Sequence, residues 1–156
     1  FREKEPAQKR VIGISRLVFL IAFLLPGLDH RFGWSHVPVA AVLAADALVF
    51  LGYVLVFLVF RENTYASRVV EVEREQKVIS TGPYALVRHP MYLGTSVMFL
   101  ATPIALGSYW ALLVFLTLPL VLVGRIRNEE EVLLRELAGY REYTQKVRYR
   151  LIPFIW

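Results

Sequence analysis

Between Met91 and Gly124 the chain runs 34 residues without one charged side chain, and Val37–Phe60 adds 24 more in which Asp46 is the sole charge. A helix rises about 1.5 Å per residue, so roughly 20 apolar residues cross the hydrocarbon core of a bilayer. The second run therefore reads as one span. The first is too long for one crossing and is interrupted by Pro103, Gly107 and Ser108, which predicts two short helices joined by a tight turn. Val11–Leu28 is apolar apart from Ser15 and Arg16 and reads as a further span, with Arg16 snorkelling to an interface. It lacks a small-residue cleavage pattern and other spans follow it, so the expectation is an anchor and not a removed signal. A hydrophobic fraction of 56% over 156 residues is more than a soluble core requires, and the excess is expected to face lipid. The predicted fold is all-α and integral to the membrane, one domain over 1–156, with two spans in 11–60 and a helical hairpin in 91–124.

The charges sharpen this outline. Lys and Arg number 18 against 13 Asp and Glu, but they gather in three blocks: a leader up to Arg10, the loop Arg61–His89, and the tail from Arg125 onward. The connections between these blocks hold Arg31 alone, and Arg16 lies in the first span. Basic loops stay on the cytoplasmic side, so an even number of crossings separates each block from the next. About four spans with both termini cytoplasmic follow. Charges arranged as membrane loops need no nucleic acid to explain them. The chain has no Cys and three His, which excludes disulfides, thiolate metal sites and a cysteine nucleophile, and leaves no metal cluster to propose.

Two polar stretches remain. Residues 69–79, VVEVEREQKVI, alternate partway as a short strand or hairpin would, and a solvated linker fits them equally well. Residues 125–143, RIRNEEEVLLRELAGYREY, bring Ile126, Val132, Leu133, Leu137 and Tyr140 toward one helical face, with Gly139 marking an end or a kink. An amphipathic helix lying along the membrane surface and closing over the loop is expected here. Asp46, near the middle of its span, is a functional candidate by default; a neutral Asp bonded to a neighbouring helix or one facing a wet cavity would also satisfy it. Arg16 and Arg31 read as interface anchors.

Chemistry concentrates where these segments meet. In TGPYALVRHPMYLG, residues 81–94, Gly-Pro supplies a turn and Pro90 suits the first turn of the following helix. Arg88 and His89 at a helix start can contact an anionic group, or they can simply anchor and cap the span. Arg125 and Glu129 stand four apart on one face at the same membrane boundary. The run Glu129, Glu130, Glu131 also suits a solvated face.

Taken in order, GPYALVRHPMYLG, RIRNEEEVL and YREYTQKVRYRLIPFIW resemble the C-terminal catalytic half of isoprenylcysteine carboxyl methyltransferases and their prokaryotic relatives, which share features with phospholipid N-methyltransferases. The resemblance runs from Asn63 to the C-terminus. It implies S-adenosylmethionine as cofactor in a membrane-embedded pocket, and agrees with the absence of any GxG pattern among the nine glycines. It further implies that His89, Pro90, Met91 and Tyr92 line the cofactor site, joined by Arg88 and by Gly82 and Tyr84 in the preceding turn. Glu129 is implied on the cofactor side, and Arg125 is implied to orient the acceptor. Thr102–Ala105 is implied near the pocket, although nothing distinctive stands there.

A carboxylate acceptor is ionised at neutral pH and needs no base, whereas an amine must lose a proton, for which Glu130 or Glu131 is available. The expected acceptor is lipophilic, an isoprenylcysteine-like carboxylate or else a phospholipid, small amine or thiol, reached among membrane lipids. Two other readings stand beside this one. A sterol-type reductase using NADPH shares an RHP-containing membrane fold, but in those proteins Asn follows the Pro where this chain has HPMYLGT. A small membrane scaffold explains the spans and charges but not the grouping of His89, Arg125 and Glu129.

Overall fold

The computed structural model describes residues 6–65 and 76–156, with side chains from Arg16 onward. Among these residues all regular structure is helical: α1 (Pro6–Phe32), α2 (Val39–Glu62), a 3-10 turn at Gly82–Ala85, α3 (Pro90–Ala105), α4 (Tyr109–Phe115), α5 (Thr117–Glu136) and α6 (Tyr140–Lys146). The strand or hairpin expected over 69–79 falls largely outside the described residues, and 76–80 carry no regular structure.

Two helical stretches are long and apolar enough to cross a membrane. They are Val39–Glu62, of mean hydropathy 2.5, and the joined α4 and α5, Tyr109–Glu136, of mean hydropathy 2.0. Neither buries much against the rest of the chain, and Phe50 and Phe57 on α2 are 67% and 64% exposed, as side chains facing lipid would be. Pro119 explains why α4 and α5 are separate helices. Its missing N–H cannot bond the carbonyl of Phe115, and its ring crowds that carbonyl, so the helix breaks at Leu116. The tight turn expected within the charge-free run is found at 106–108, with Gly107 at φ 73°.

The most extensive helix contact joins α2 to α3. Gly52 and Gly94 face each other there: a Cβ on Gly52 would lie 2.9 Å from the Gly94 carbonyl oxygen and would collide with the Met98 side chain, and a Cβ on Gly94 would lie 3.0 Å from the Gly52 oxygen. Lipid tails are as apolar as Leu, so backbone approach between small residues, and not the hydrophobic effect, is what binds such helices. The opposite flank is aromatic. Ala22 of α1 meets Ala111 and Phe115 of α4, with Phe99 and Phe23 closing around them.

One expectation is corrected. The charged segment from Arg125 is not a separate surface helix but the continuation of α5, which runs unbroken through Gly124 to Glu136. A single Gly inside a helix costs only about 1 kcal/mol, and no proline or capping signal accompanies the onset of charge. The chain turns at Gly139 instead, where φ is 83°, and the short α6 folds back over the 82–91 segment.

Candidate functional site

The site lies where the ends of α2 and α5 meet the start of α3, and it is organised by two adjacent glutamates with different surroundings. Glu130 is 4% exposed. Its Oε1 accepts from Arg88 Nε at 2.6 Å and from His89 Nε2 at 3.3 Å, and its Oε2 accepts from Arg150 Nε at 2.6 Å. Arg88 also donates through Nη1 to the carbonyls of Val147 and Arg148, both at 2.9 Å. The backbone N–H groups of Arg88 and His89 donate to the carbonyls of Tyr149 and Arg150. The C-terminal tail is thereby tied to the entry of α3. Burial works against charge on Glu130, yet the hydrogen bonds from His89, Arg88 and Arg150 and the Arg88 charge prevail and hold its carboxyl at about 2.

Glu129 is the more open of the two, its side chain 26% exposed. Its Oε2 accepts from the Tyr92 hydroxyl at 2.6 Å, and that hydroxyl in turn accepts from Arg125 Nε at 2.7 Å. His89 Nδ1 stands 4.0 Å from Glu129 Oε1, and the His89 and Tyr92 rings stack at 5.8 Å. Arg125, Tyr92, Glu129 and His89 therefore form one connected polar row across the facing turns of α3 and α5.

Beside this row a cavity opens. Its lining includes an apolar wall where Val78 and Leu133 pack against the Leu137 cluster, with Ile79 and Val132 also in the lining, and polar groups from Asn63, Lys77, His89 and Glu129. α6 closes it through the Tyr143 hydroxyl, which donates to the Tyr84 carbonyl at 2.7 Å, while Asn63 donates to the Tyr84 hydroxyl at 2.8 Å. Burial pushes the Tyr84 and Tyr143 phenols up, so both stay protonated.

Of the residues singled out in the sequence, Tyr84, Arg88, His89, Met91, Tyr92 and Glu129 line this cavity. Gly82 and Pro90 do not; they line a separate, mostly apolar groove with Leu86 of their own segment and Leu55 and Leu58 of α2. Gly82 has φ 56°, and a Cβ there would lie 3.2 Å from the Glu62 side chain, so its role there is conformational. Arg125 reaches the row through Tyr92, and Glu130 lies behind it among its cationic partners. Thr102 bonds the Met98 carbonyl within α3 and lines neither space. Asp46 is exposed on α2 and also lines neither. Sequence reasoning did not place Asn63, Tyr140, Tyr143 or Arg150 at the site, although it set Tyr140 on an apolar helical face. The motif YREYTQKVRYRLIPFIW held three of these, and the spacing of Tyr140 and Tyr143 on one helical face was the available signal.

A family model described as phospholipid methyltransferase matches residues 40–140. Two rice proteins, from Oryza sativa subsp. indica and subsp. japonica, each named a probable protein-S-isoprenylcysteine O-methyltransferase, are 30% identical over 136 residues, covering 86% of this chain and 69% of theirs. The chain belongs to the isoprenylcysteine carboxyl methyltransferase family and its phospholipid methyltransferase relatives. As a member of this membrane family with two stretches of spanning length, it is an integral membrane protein. The Delta(14)-sterol reductase of Mus musculus is 33% identical over 87 residues, which make up 52% of this chain and 20% of the reductase. A solved structure of the eukaryotic intramembrane Ras methyltransferase ICMT shares the fold, with a TM-score of 0.64 at 24% identity, over 99% of this chain and 55% of that one. The chain thus spans about half of that solved structure and a fifth of the reductase.

Proposed function

We propose that this chain is an S-adenosylmethionine-dependent methyltransferase acting on a lipophilic acceptor, with carboxyl O-methylation of an isoprenylcysteine-like substrate as the leading reaction. The observation that carries the reading is the polar row Arg125, Tyr92, Glu129, His89 beside a cavity with one apolar wall, in a chain of this family. The cavity suits the cofactor's chemistry: the apolar wall matches a purine face, and Glu129 matches an ammonium or ribose hydroxyls. Bound there, the cofactor would supply a methyl group on a positively charged sulfur, open to in-line displacement.

The chain's own part is to bind, orient and exclude water. Glu129, His89, Tyr84, Met91 and Tyr92 hold the cofactor, and Arg125 takes the acceptor. Arg125 suits a carboxylate because a planar guanidinium can meet both oxygens at once. Glu130 is then a positioning residue. With both oxygens engaged by cations and its carboxyl held at about 2, it binds a proton too weakly to serve as a base for an amine. An amine acceptor would have to turn to Glu131, which is exposed and lines neither cavity, whereas a carboxylate needs no base and is the better acceptor. Four spans with both termini and the site on the cytoplasmic face complete the reading, supported by the positions of the basic blocks.

The sterol-reductase relative keeps an NADPH-dependent reading as the second alternative. Purified protein in detergent, incubated with methyl-labelled S-adenosylmethionine and a panel of a prenylcysteine, a long-chain fatty acid, phosphatidylethanolamine and an alkyl thiol, is expected to label the prenylcysteine carboxyl in base-labile form. Labelling of the phospholipid or thiol alone would move the acceptor, and the absence of any labelling would remove the carboxyl-methylation reading.

A further inference from the structure

The tyrosines around the cavity differ in how their hydroxyls are used. Tyr92 donates to Glu129 and accepts from Arg125, Tyr84 accepts from Asn63, and Tyr143 donates to the Tyr84 carbonyl. Tyr140, one helical turn before Tyr143 and 4% exposed, lines the same cavity, yet its buried hydroxyl has no hydrogen-bond partner. Buried hydroxyls are nearly always partnered, because one left alone loses its hydration with nothing in return. Tyr140 was absent from every role derived above.

We infer that Tyr140 is a ligand-recognition residue of this cavity, whose phenolic O–H donates to an acceptor atom on the nucleoside part of the cofactor. The inference rests on the cofactor reading of the preceding subsection. Three observations select the nucleoside over the amino-acid part. Tyr140 belongs to the apolar cluster of Leu137, Tyr143 and Val147, against which Val78 and Leu133 pack. Val78, Leu133 and Leu137 form the wall that would face a flat base. The charged side chains of the same lining, Glu129 and Lys77, lie outside that apolar cluster. Burial, reinforced by the Glu130 charge, pushes the Tyr140 phenol well above its ordinary range, so it remains a neutral donor at physiological pH.

The test titrates wild type and Tyr140→Phe with S-adenosylhomocysteine and with 5′-methylthioadenosine, which keeps the nucleoside and lacks the amino acid, and records thermal melting of both proteins without ligand. The expected result is a loss of roughly three- to tenfold in affinity for both ligands, as one neutral hydrogen bond provides, with a melting temperature unchanged or raised. Wild-type affinity in Tyr140→Phe would show a hydroxyl that is merely buried and would overturn the inference. A lowered melting temperature with unchanged affinity would place the hydroxyl on an internal water and overturn it equally. Loss for S-adenosylhomocysteine alone would overturn the nucleoside assignment. Failure of the wild-type chain to bind either ligand would overturn the cofactor reading as well, and is told apart because it needs no variant.

Discussion

The two ends of the helix bundle each bury a carboxylate, and they solve the problem differently. At the end where α1 meets α2 and α3 meets α4, Asp29 is fully buried and accepts from the Ser35 amide and hydroxyl, both at 2.7 Å, and from the Ser108 hydroxyl. Ser108 also caps α4 by accepting from the Ala111 amide, and Ser35 receives the Tyr109 amide. Every partner is a neutral donor, and Asp29 lines neither cavity. At the other end Glu130 is met by Arg88, His89 and Arg150, and its neighbour Glu129 borders an open space. A buried carboxylate is therefore no sign of function in itself. What separates a staple from a site is capacity left over: a half-open acid, a cavity and an unspent hydroxyl.

That contrast is broken most directly by neutralising each carboxylate in turn. Glu130→Gln leaves Arg88 and Arg150 buried or half-buried without their anion, and removing one partner of such a network costs about 3 to 5 kcal/mol. The variant is expected to melt far below wild type and to lose S-adenosylhomocysteine binding, because Arg88 and His89 are held by that acid. Asp29→Asn keeps part of its hydrogen bonding and should cost about 1 to 2 kcal/mol, with ligand affinity of the folded protein unchanged. Equal loss of binding in both variants would erase the distinction between the two ends.

A sharper version separates roles within the site. Arg125→Lys keeps the charge but not the planar contact, so turnover of an anionic acceptor should fall about ten- to a hundredfold, the worth of one charge-assisted contact. S-adenosylhomocysteine affinity should move far less. Tyr92 links Arg125 to Glu129, so a parallel fall in both quantities would mean the row acts as one cofactor-binding unit.

The same network also predicts a pH dependence. The Glu130 carboxyl is lowered from an ordinary 4.5 to about 2, so its contribution to stability is complete above about 4.5 and is lost as pH falls toward 2. Acid melting curves of wild type should steepen across that window. Glu130→Gln should lack this limb, and a limb persisting in the variant would assign it to other carboxylates.

How much of this was legible beforehand depended on the kind of constraint. Lipid imposes length and apolarity on any crossing segment, so α2 and the break between α3 and α4 could be read from hydropathy and Gly107, whereas Pro103 lies inside α3 and does not interrupt it. Continuity of α5 through Gly124 could not, because the onset of charge at Arg125 marks where solvent begins and says nothing about where backbone hydrogen bonding stops. Motif residues His89, Tyr92, Glu129 and Arg125 converge because all are set by the facing turns of α3 and α5. Gly82 and Pro90 sit in the same motif yet face the opposite groove, since a turn followed by a helix start sends neighbouring residues to different sides. Arg150 was invisible because its partner, Glu130, belongs to a different element and the two meet only through the fold of the tail.

The central claim, that the cavity beside Glu129 receives the adenosyl cofactor, is tested by calorimetric titration of S-adenosylhomocysteine and NADPH into wild type and Glu129→Ala. The account predicts that S-adenosylhomocysteine binds wild type, that NADPH does not, and that Glu129→Ala loses at least about tenfold in affinity, as removal of one charge-assisted contact implies, while remaining folded. Binding of NADPH in place of S-adenosylhomocysteine, or undiminished S-adenosylhomocysteine binding in Glu129→Ala, would contradict it.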